Sequence, residues 1–160
     1  MTTINQMPSD ARVWVYQSNT LLTDAEVNEI TAQGKAFIES WTAHGAALKA
    51  SFDVLYNRFI IISVDEQQAM ASGCSIDKSL AFIKSLEQRY NLKLLDRMQV
   101  AYRKEQTIEV CALSEFEKLA GAGAVTPQTI VFNNMITTKS DFDSNWEIPL
   151  QESWQKRVLN

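Results

Sequence analysis

Alternating apolar segments and longer helical stripes divide the first part of the chain into a strand and a helix. Arg12–Gln17 is rich in β-branched and aromatic residues and lies between polar clusters, which predicts a first strand. Thr23 and Glu26 have the spacing of a capping box, in which both side chains bind backbone N–H groups left free at a helix start. Apolar residues at helical spacing follow. A first helix is therefore predicted, and it is expected to end at Gly45, just after His44.

Two β-hairpins are predicted further along. Residues 48–56 partly alternate between apolar and polar positions, and Asn57-Arg58 separates them from the strand-like run 59–64. Residues 98–102 and 107–111 also alternate, with a polar connection between them. Each pair is expected to form two antiparallel strands.

Two more helices are predicted, one on each side of the second hairpin. Apolar residues form one stripe over about 76–90, where Ser75 or Asp77 is available as the N-cap. Ser114 opens a second capping-box sequence, which predicts a short helix starting there. The glycines at 121 and 123 are expected to end it.

The C-terminal segment 133–160 is predicted to pack on the rest of the domain. Trp146 and Trp154 have large apolar side chains, whose burial is favourable. Pro149 fits the first turn of a C-terminal helix, because proline has no N–H and its φ suits that position.

The order strand, helix, strand, strand, helix, strand predicts an α+β fold with a ferredoxin-like βαββαβ core. This core is one antiparallel sheet with two helices on one face, here with an extra strand or hairpin and a C-terminal extension. Residues 1–160 contain no repeat or linker, so one domain is expected. The sheet face without helices needs a cover, which predicts a homodimer. The candidate members of that face are Phe52, Val54, Val100 and Tyr102.

Composition narrows the class of protein. The chain has 160 residues, 46% of them hydrophobic, and a formal net charge of −4, which favours one folded domain and argues against nucleic-acid or membrane partners. The first ten residues have no secretory signal pattern, so a cytoplasmic location is expected. Cys74 and Cys111 match no metal or redox spacing and are expected to be free thiols.

Several common catalytic motifs are missing from the sequence. There is no Walker A phosphate loop and no G-x-S-x-G elbow. His44 is the single histidine, which argues against a multi-histidine metal site. No metal and no cofactor are predicted.

Cys74 carries the one catalytic hypothesis. It lies just before the second predicted helix, where a thiolate is stabilised by the helix dipole and free N–H groups. His44 would supply a base, since both lie near helix ends. The alternative is structural: Gly73 makes a turn, Cys74 is a small half-buried residue, and the residues after it cap the helix. For Cys111, inside a strand, packing is the simpler interpretation.

Five residues are candidates for ligand binding. The helix start at Ser75 and Asp77 offers free backbone donors. Trp14 and Trp41, together with Tyr16, would line a cavity between sheet and helix, unless they are core residues. Arg97 is the fifth. Together with its neighbour Asp96 and with the acidic pair at 65–66, it would form a polar pocket, unless these charges are simply solvated.

Several segments together resemble a family of uncharacterised Bacteroidetes proteins about 150 residues long. The segments are Trp14-Val15-Tyr16, Gly73-Cys74-Ser75-Ile76-Asp77, Phe82-Ile83-Lys84-Ser85-Leu86-Glu87, Asp96-Arg97 and Val100-Ala101-Tyr102. The resemblance covers nearly the whole chain. Members often carry the label ABC transporter ATPase, but this sequence lacks the Walker A loop that an ATPase of that class needs. The resemblance implies no activity, cofactor or catalytic residue.

Three functions follow as hypotheses. The first is a non-enzymatic module that binds a small molecule or a protein and acts as a homodimer. The second is a thiol-dependent enzyme that uses Cys74 with His44. The third is a structural or regulatory subunit that docks on another protein through its C-terminal tail, 146–158.

Overall fold

The computed structural model describes residues 3–159. Its helices and strands follow the predicted order through both predicted hairpins, except for two short strands within 42–47, where the first helix was expected to continue to Gly45. The strands are β1 (Arg12–Gln17), β2 (Thr42–Ala43), β3 (Ala46–Ala47), β4 (Lys49–Leu55), β5 (Phe59–Asp65), β6 (Gln99–Lys104), β7 (Thr107–Ala112), β8 (Ile130–Phe132) and β9 (Glu147–Pro149). The α-helices are α1 (Asp24–Glu39), α2 (Gly73–Tyr90), α3 (Leu113–Gly121) and α4 (Lys139–Asn145). Short 3-10 turns lie at Ile4–Gln6, Leu150–Glu152 and Trp154–Leu159.

The first sheet is antiparallel, with strand order β1-β5-β4, and it carries α1 and α2 on one face. The central strand β5 is buried along its whole length, as expected for a strand covered on both faces. Ile60, Ile62 and Val64 face the helices, where they meet Ile30 of α1 and Ile83 of α2. This part has the predicted arrangement of two helices on one face of an antiparallel sheet.

The ferredoxin-like core is not confirmed. In that core the strand after the second helix would join the first sheet, but β6 lies in a second antiparallel sheet with strand order β7-β6-β8-β9. The physical reason is that β6 is apolar on both faces. Ala101 is buried against the first sheet, while Val100 and Tyr102 pack toward α3 on the opposite side. The fold is therefore α+β with antiparallel sheets.

The two sheets pack face to face, which produces four layers: α1 with α2, the first sheet, the second sheet, and α3 with the last 3-10 turn. Phe59 and Ile61 of the first sheet meet Ala101 and Phe132 of the second. The face without helices is thus covered within one chain.

That cover corrects the placement of the predicted dimer residues. Phe52 and Val54 belong to the helix side of the first sheet, and Val100 and Tyr102 belong to the α3 side of the second. None of them lies on an uncovered sheet face, because each face has a partner layer in the chain. The homodimer itself stays a prediction.

The predicted ends of the first two helices need correction. α1 ends at Glu39, and Trp41 is buried beyond it with its indole N–H donating to the carbonyl of Ser75 at 2.8 Å. His44 therefore lies at the exposed tip of the β2–β3 hairpin, with a positive φ of 51°. The N-cap of α2 is Ser72, whose hydroxyl accepts from the Ser75 N–H, so neither Ser75 nor Asp77 is the cap.

The C-terminal segment packs on the domain, but not as the predicted helix. Trp146 is buried between the sheets, whereas Trp154 remains 37% exposed. Pro149 ends β9 and precedes a 3-10 turn. Leu150 and Val158 are buried against α3, so these apolar side chains of the C-terminal segment are covered within this chain. Within residues 3–159, no helix has the length and hydrophobicity to cross a membrane.

Candidate functional site: a groove along the first strand

The outer edge of β1 is only partly covered. The Val13 N–H donates to the Thr137 carbonyl at 2.9 Å, and the Lys139 N–H donates to the Ala11 carbonyl at 2.9 Å. In an antiparallel ladder, alternate residues direct their backbone groups to opposite edges. Val15 and Gln17 therefore direct their backbone N–H groups to the same edge as Val13. In the described chain, no backbone segment pairs with the edge beyond Val13.

A cavity of about 440 Å³ runs along this uncovered edge. One wall is formed by α2 and the loop that precedes β6. The other wall is formed by residues 132–137 together with Trp154 and Gln155. The volume lies within the range typical of small-molecule sites, about 300–1,000 Å³. We call this cavity the β1 groove.

Most of the groove surface is apolar or aromatic. Trp14 and Tyr16 of β1 face Ile76 and Leu80 of α2, because these β1 side chains point to the helix side of the sheet. Val13 and Val15, which alternate with them, point to the other side. On that side the wall includes Phe132, Ile136 and the exposed Trp154.

Tyr16 places a hydroxyl in this apolar surface. Burial raises the pKa of Tyr16, while a hydrogen bond with Ser79 and the nearby charge of Arg97 partly oppose that rise. Tyr16 is therefore neutral over the physiological pH range, since the ordinary tyrosine pKa is already about 10.

A hydrogen-bonded chain closes one end of the groove. Gln17 is 8% exposed, and its side-chain oxygen accepts from the Asn134 amide at 2.8 Å. The Asn134 oxygen accepts from the Trp146 indole N–H at 2.9 Å. Because these polar groups satisfy each other, this end of the groove is built as a fixed wall.

Two guanidinium groups line the groove without an ion pair. Arg12 lies over the Trp14 ring at 4.9 Å, and Arg97 is exposed at the end of the loop before β6. Neither forms a salt bridge with any described residue. Asp96 is the acidic residue of the lining, and its oxygens accept from the Met98 N–H and, at 3.4 Å, from the Gln99 amide. The groove therefore offers positive charge in a chain whose formal net charge is −4.

The structure brings two of the five predicted binding residues to the groove. Trp14 and Arg97 line it. Trp41 lies behind Trp14 in the core, with the two rings edge to face at 6.3 Å. Ser75 is buried and binds Trp41 through its carbonyl, and Asp77 is exposed on α2 outside the lining.

The predicted catalytic pair is not joined. Cys74 is exposed in the first turn of α2, and His44 is exposed on its hairpin. No hydrogen bond links these two side chains in the described chain, and neither lines the groove. Cys111 is half-buried in β7 against the α3 layer, where burial and the nearby Glu115 raise its pKa.

The acidic pair at 65–66 has a local structural role. Asp65 accepts from the Gln67 N–H and lies 3.7 Å from the Lys49 ammonium. Glu66 accepts from the Ala71 N–H. Both carboxylates therefore organise the loop after β5 and do not belong to the groove.

Sequence reasoning missed Gln17, Leu80, Asn134 and Trp154 as groove residues. Gln17 carried a detectable signal, because it is a polar residue that ends an otherwise apolar strand. The other three carried none, since long-range packing brings them to β1: α2 carries Leu80, and the C-terminal segment carries Asn134 and Trp154. Among residues 3–159, no cluster of three or more His, Cys, Asp or Glu side chains forms a candidate metal site.

Comparisons with protein-family models, with curated proteins and with solved structures found no match for this chain. The resemblance to the Bacteroidetes family therefore stays a prediction. The function has to be argued from the groove itself.

Proposed function

We propose that this protein is a non-enzymatic binding module whose β1 groove holds an organic ligand with an apolar body and an anionic group. The observation that carries the proposal is the 440 Å³ cavity, lined by aromatic and aliphatic side chains and by two guanidinium groups without ion pairs. Concave apolar surface with a few polar groups is the usual form of a small-molecule site.

The apolar walls supply affinity, and the arginines supply orientation. Covering Trp14 and Leu80 with ligand removes apolar surface from water, which is favourable by roughly 25 cal/mol per Å² before the entropic costs of binding. A ligand anion beside Arg12 or Arg97 gains a charge-assisted hydrogen bond. Asp96 adds one negative charge to the lining, but it forms no ion pair with Arg12 or Arg97, so the two arginines leave the groove with a net positive charge.

A binding role agrees better with this site than the thiol-enzyme hypothesis does. Cys74 and His44, the nucleophile and base that the thiol-enzyme hypothesis needs, both lie outside the groove lining. The lining also comes from a single chain, so the proposed binding does not depend on a homodimer.

The proposal is tested with anilinonaphthalene sulfonate, a fluorescent probe with an apolar body and one negative charge, and with decanoate as its competitor. We expect saturable binding that decanoate reverses. Arg12→Ala combined with Arg97→Ala is expected to weaken probe binding by about three- to tenfold, since partly exposed charge contacts are each worth under about 1 kcal/mol.

Arg89→Ala combined with Lys84→Ala is the matched control. Both residues are exposed on α2 outside the groove, so their removal takes away two positive charges without touching the lining. If this control weakens binding as much as the changes at Arg12 and Arg97, the probe senses overall charge and the proposed site is wrong. Absence of saturable binding by both probe and decanoate refutes the proposed function.

A further inference from the structure

We propose that the ligand of the β1 groove is a short extended peptide segment with an acidic group, which pairs with β1 as an added strand. This inference rests on the proposed function and names its ligand class. Residues 13–17 of β1 line the groove, and beyond Val13 no backbone segment of the described chain pairs with this edge. Backbone donors and acceptors of that kind are best satisfied by another backbone.

The bridge at Arg12 and Thr138 already begins such a pairing. The chain segment 137–139 makes one backbone hydrogen bond with Val13 of β1 and one with Ala11 just before it, and α4 begins at Lys139. The N–H of Val15, which points to the same edge, has no partner in the described chain. A guest segment would continue the ladder from this point.

The two walls match the alternation of a guest strand. Successive side chains of a strand point to opposite faces, so a guest beside β1 would place one set toward Trp14 and Leu80 and the other toward Val15 and Ile136. Both walls are apolar. At about 3.3 Å per residue, the uncovered edge accommodates roughly four guest residues.

The two walls favour a free peptide over a second copy of this chain. β1 of another molecule would bring its own α2 and its own loop 132–137 with it into the space between the walls. A free peptide segment has no such neighbours. The unpaired Arg12 and Arg97 complement an acidic side chain or a carboxylate on that segment.

The test uses acetylated and amidated tetrapeptides with Val, Leu or Phe at the first three positions and Glu or Gln at the fourth. Binding is followed by displacement of anilinonaphthalene sulfonate and by the NMR shift of the Val15 amide. We expect Glu peptides to bind, to shift the Val15 signal, and to bind at least threefold more tightly than their Gln counterparts.

Backbone methylation then tests strand pairing. In a paired guest strand, alternate backbone amides face β1. N-methylation at an amide that faces β1 should therefore weaken peptide binding at least tenfold, whereas N-methylation at an amide that faces away should have little effect. Val15→Pro removes the same hydrogen bond from the protein side. The Val15 N–H does not pair with β5, so the first sheet keeps its ladder. Because Val15 also lines the groove, dye binding is measured in the same variant, and peptide binding should weaken at least tenfold more than dye binding does.

The outcomes separate the two proposals. If the dye and decanoate bind in the groove but no tetrapeptide does, or if peptides methylated at either set of amides bind equally, the peptide inference is wrong and the proposed function stands. If none of the probes binds, both are wrong. If Val15→Pro does not fold, the methylated peptides decide the question alone.

Discussion

Replacing Gly34 with alanine should destabilise this protein, although alanine is the better helix former. Gly34 lies in the interior of α1 on the face that packs against the first sheet. A Cβ atom at this position would lie closer than 3.0 Å to three ring atoms of Phe52. Phe52 is 1% exposed, and its ring also contacts the Phe82 ring edge to face at 6.0 Å. The ring therefore has no open space into which it can move.

The sign of the effect follows from two opposing magnitudes. Glycine to alanine in a helix interior stabilises by about 1 kcal/mol. Overpacking a filled core costs about 1–3 kcal/mol, and overlap with several atoms of one enclosed ring places Gly34→Ala at about 3 kcal/mol. The net expectation is a loss of about 2 kcal/mol in the free energy of unfolding. For a chain of this size, that corresponds to a melting temperature lower by roughly 4–8 °C.

Chemical denaturation with a matched glycine measures this loss. Gly121 is the last residue of α3, and a Cβ there meets nothing within 4 Å. Gly121→Ala should therefore be neutral or stabilise by up to about 1 kcal/mol. Combining Gly34→Ala with Phe52→Leu removes the ring overlap, so the two costs should fall short of additivity by at least about 1 kcal/mol.

Two results would refute this reasoning. One is a Gly34→Ala protein as stable as the parent, since it would mean that α1 does not approach Phe52 so closely. The other is strict additivity of the changes at Gly34 and Phe52, because independent effects would exclude the overlap as the cause.

Three further predictions concern titratable and charged groups. Timed alkylation with mass mapping should modify Cys74 before Cys111, because Cys74 is exposed while burial raises the Cys111 pKa, and equal rates would contradict this. Tyr16 should ionise above the ordinary tyrosine range, measured as the difference in tyrosinate absorbance between the parent protein and Tyr16→Phe. Because the pKa of Tyr16 is raised in the folded state, the parent protein should lose stability as the pH rises from about 10, and Tyr16→Phe should lose less. Glu147→Gln breaks a 2.7 Å ion pair with Arg103 whose side chains are 29% and 28% exposed, so it should lower the free energy of unfolding by about 1 kcal/mol, less at high salt. An unchanged midpoint of denaturation would contradict it.

Local structure was predictable where neighbouring residues decide it. β1 forms at Arg12–Gln17 as predicted, and α1 starts with the predicted capping box at Thr23 and Glu26. Both hairpins also form as expected, since short connections pair adjacent strands. These features depend on hydrogen bonds and side-chain periodicity within a few residues of each other, which is information that the sequence displays directly.

Helix ends were less predictable where a distant contact competes with a local signal. The apolar spacing continues to Trp41, but α1 ends at Glu39 because the Trp41 indole binds Ser75 across the core. At α3, Ser114 has the capping-box spacing, yet the helix begins one residue earlier at Leu113, which is buried between the second sheet and α3. There, burial of Leu113 outweighed the capping preference of Ser114, which is worth about 1 kcal/mol.

The sequence by itself thus determined the α+β class, the strands and helices through the second hairpin apart from the short pair within 42–47, and, among its five predicted binding residues, two that line the groove, Trp14 and Arg97. Only the tertiary structure decided the partners of β6. An apolar strand can be buried in either of two sheets, and its alternation is the same in both. The pairing of β6 depended on burial of Val100 and Tyr102, which pack against α3 and the C-terminal turns, and these elements come later in the chain. Because β6 pairs within the second sheet, no described strand pairs with the edge of β1 beyond Val13, and the β1 groove lies along that edge.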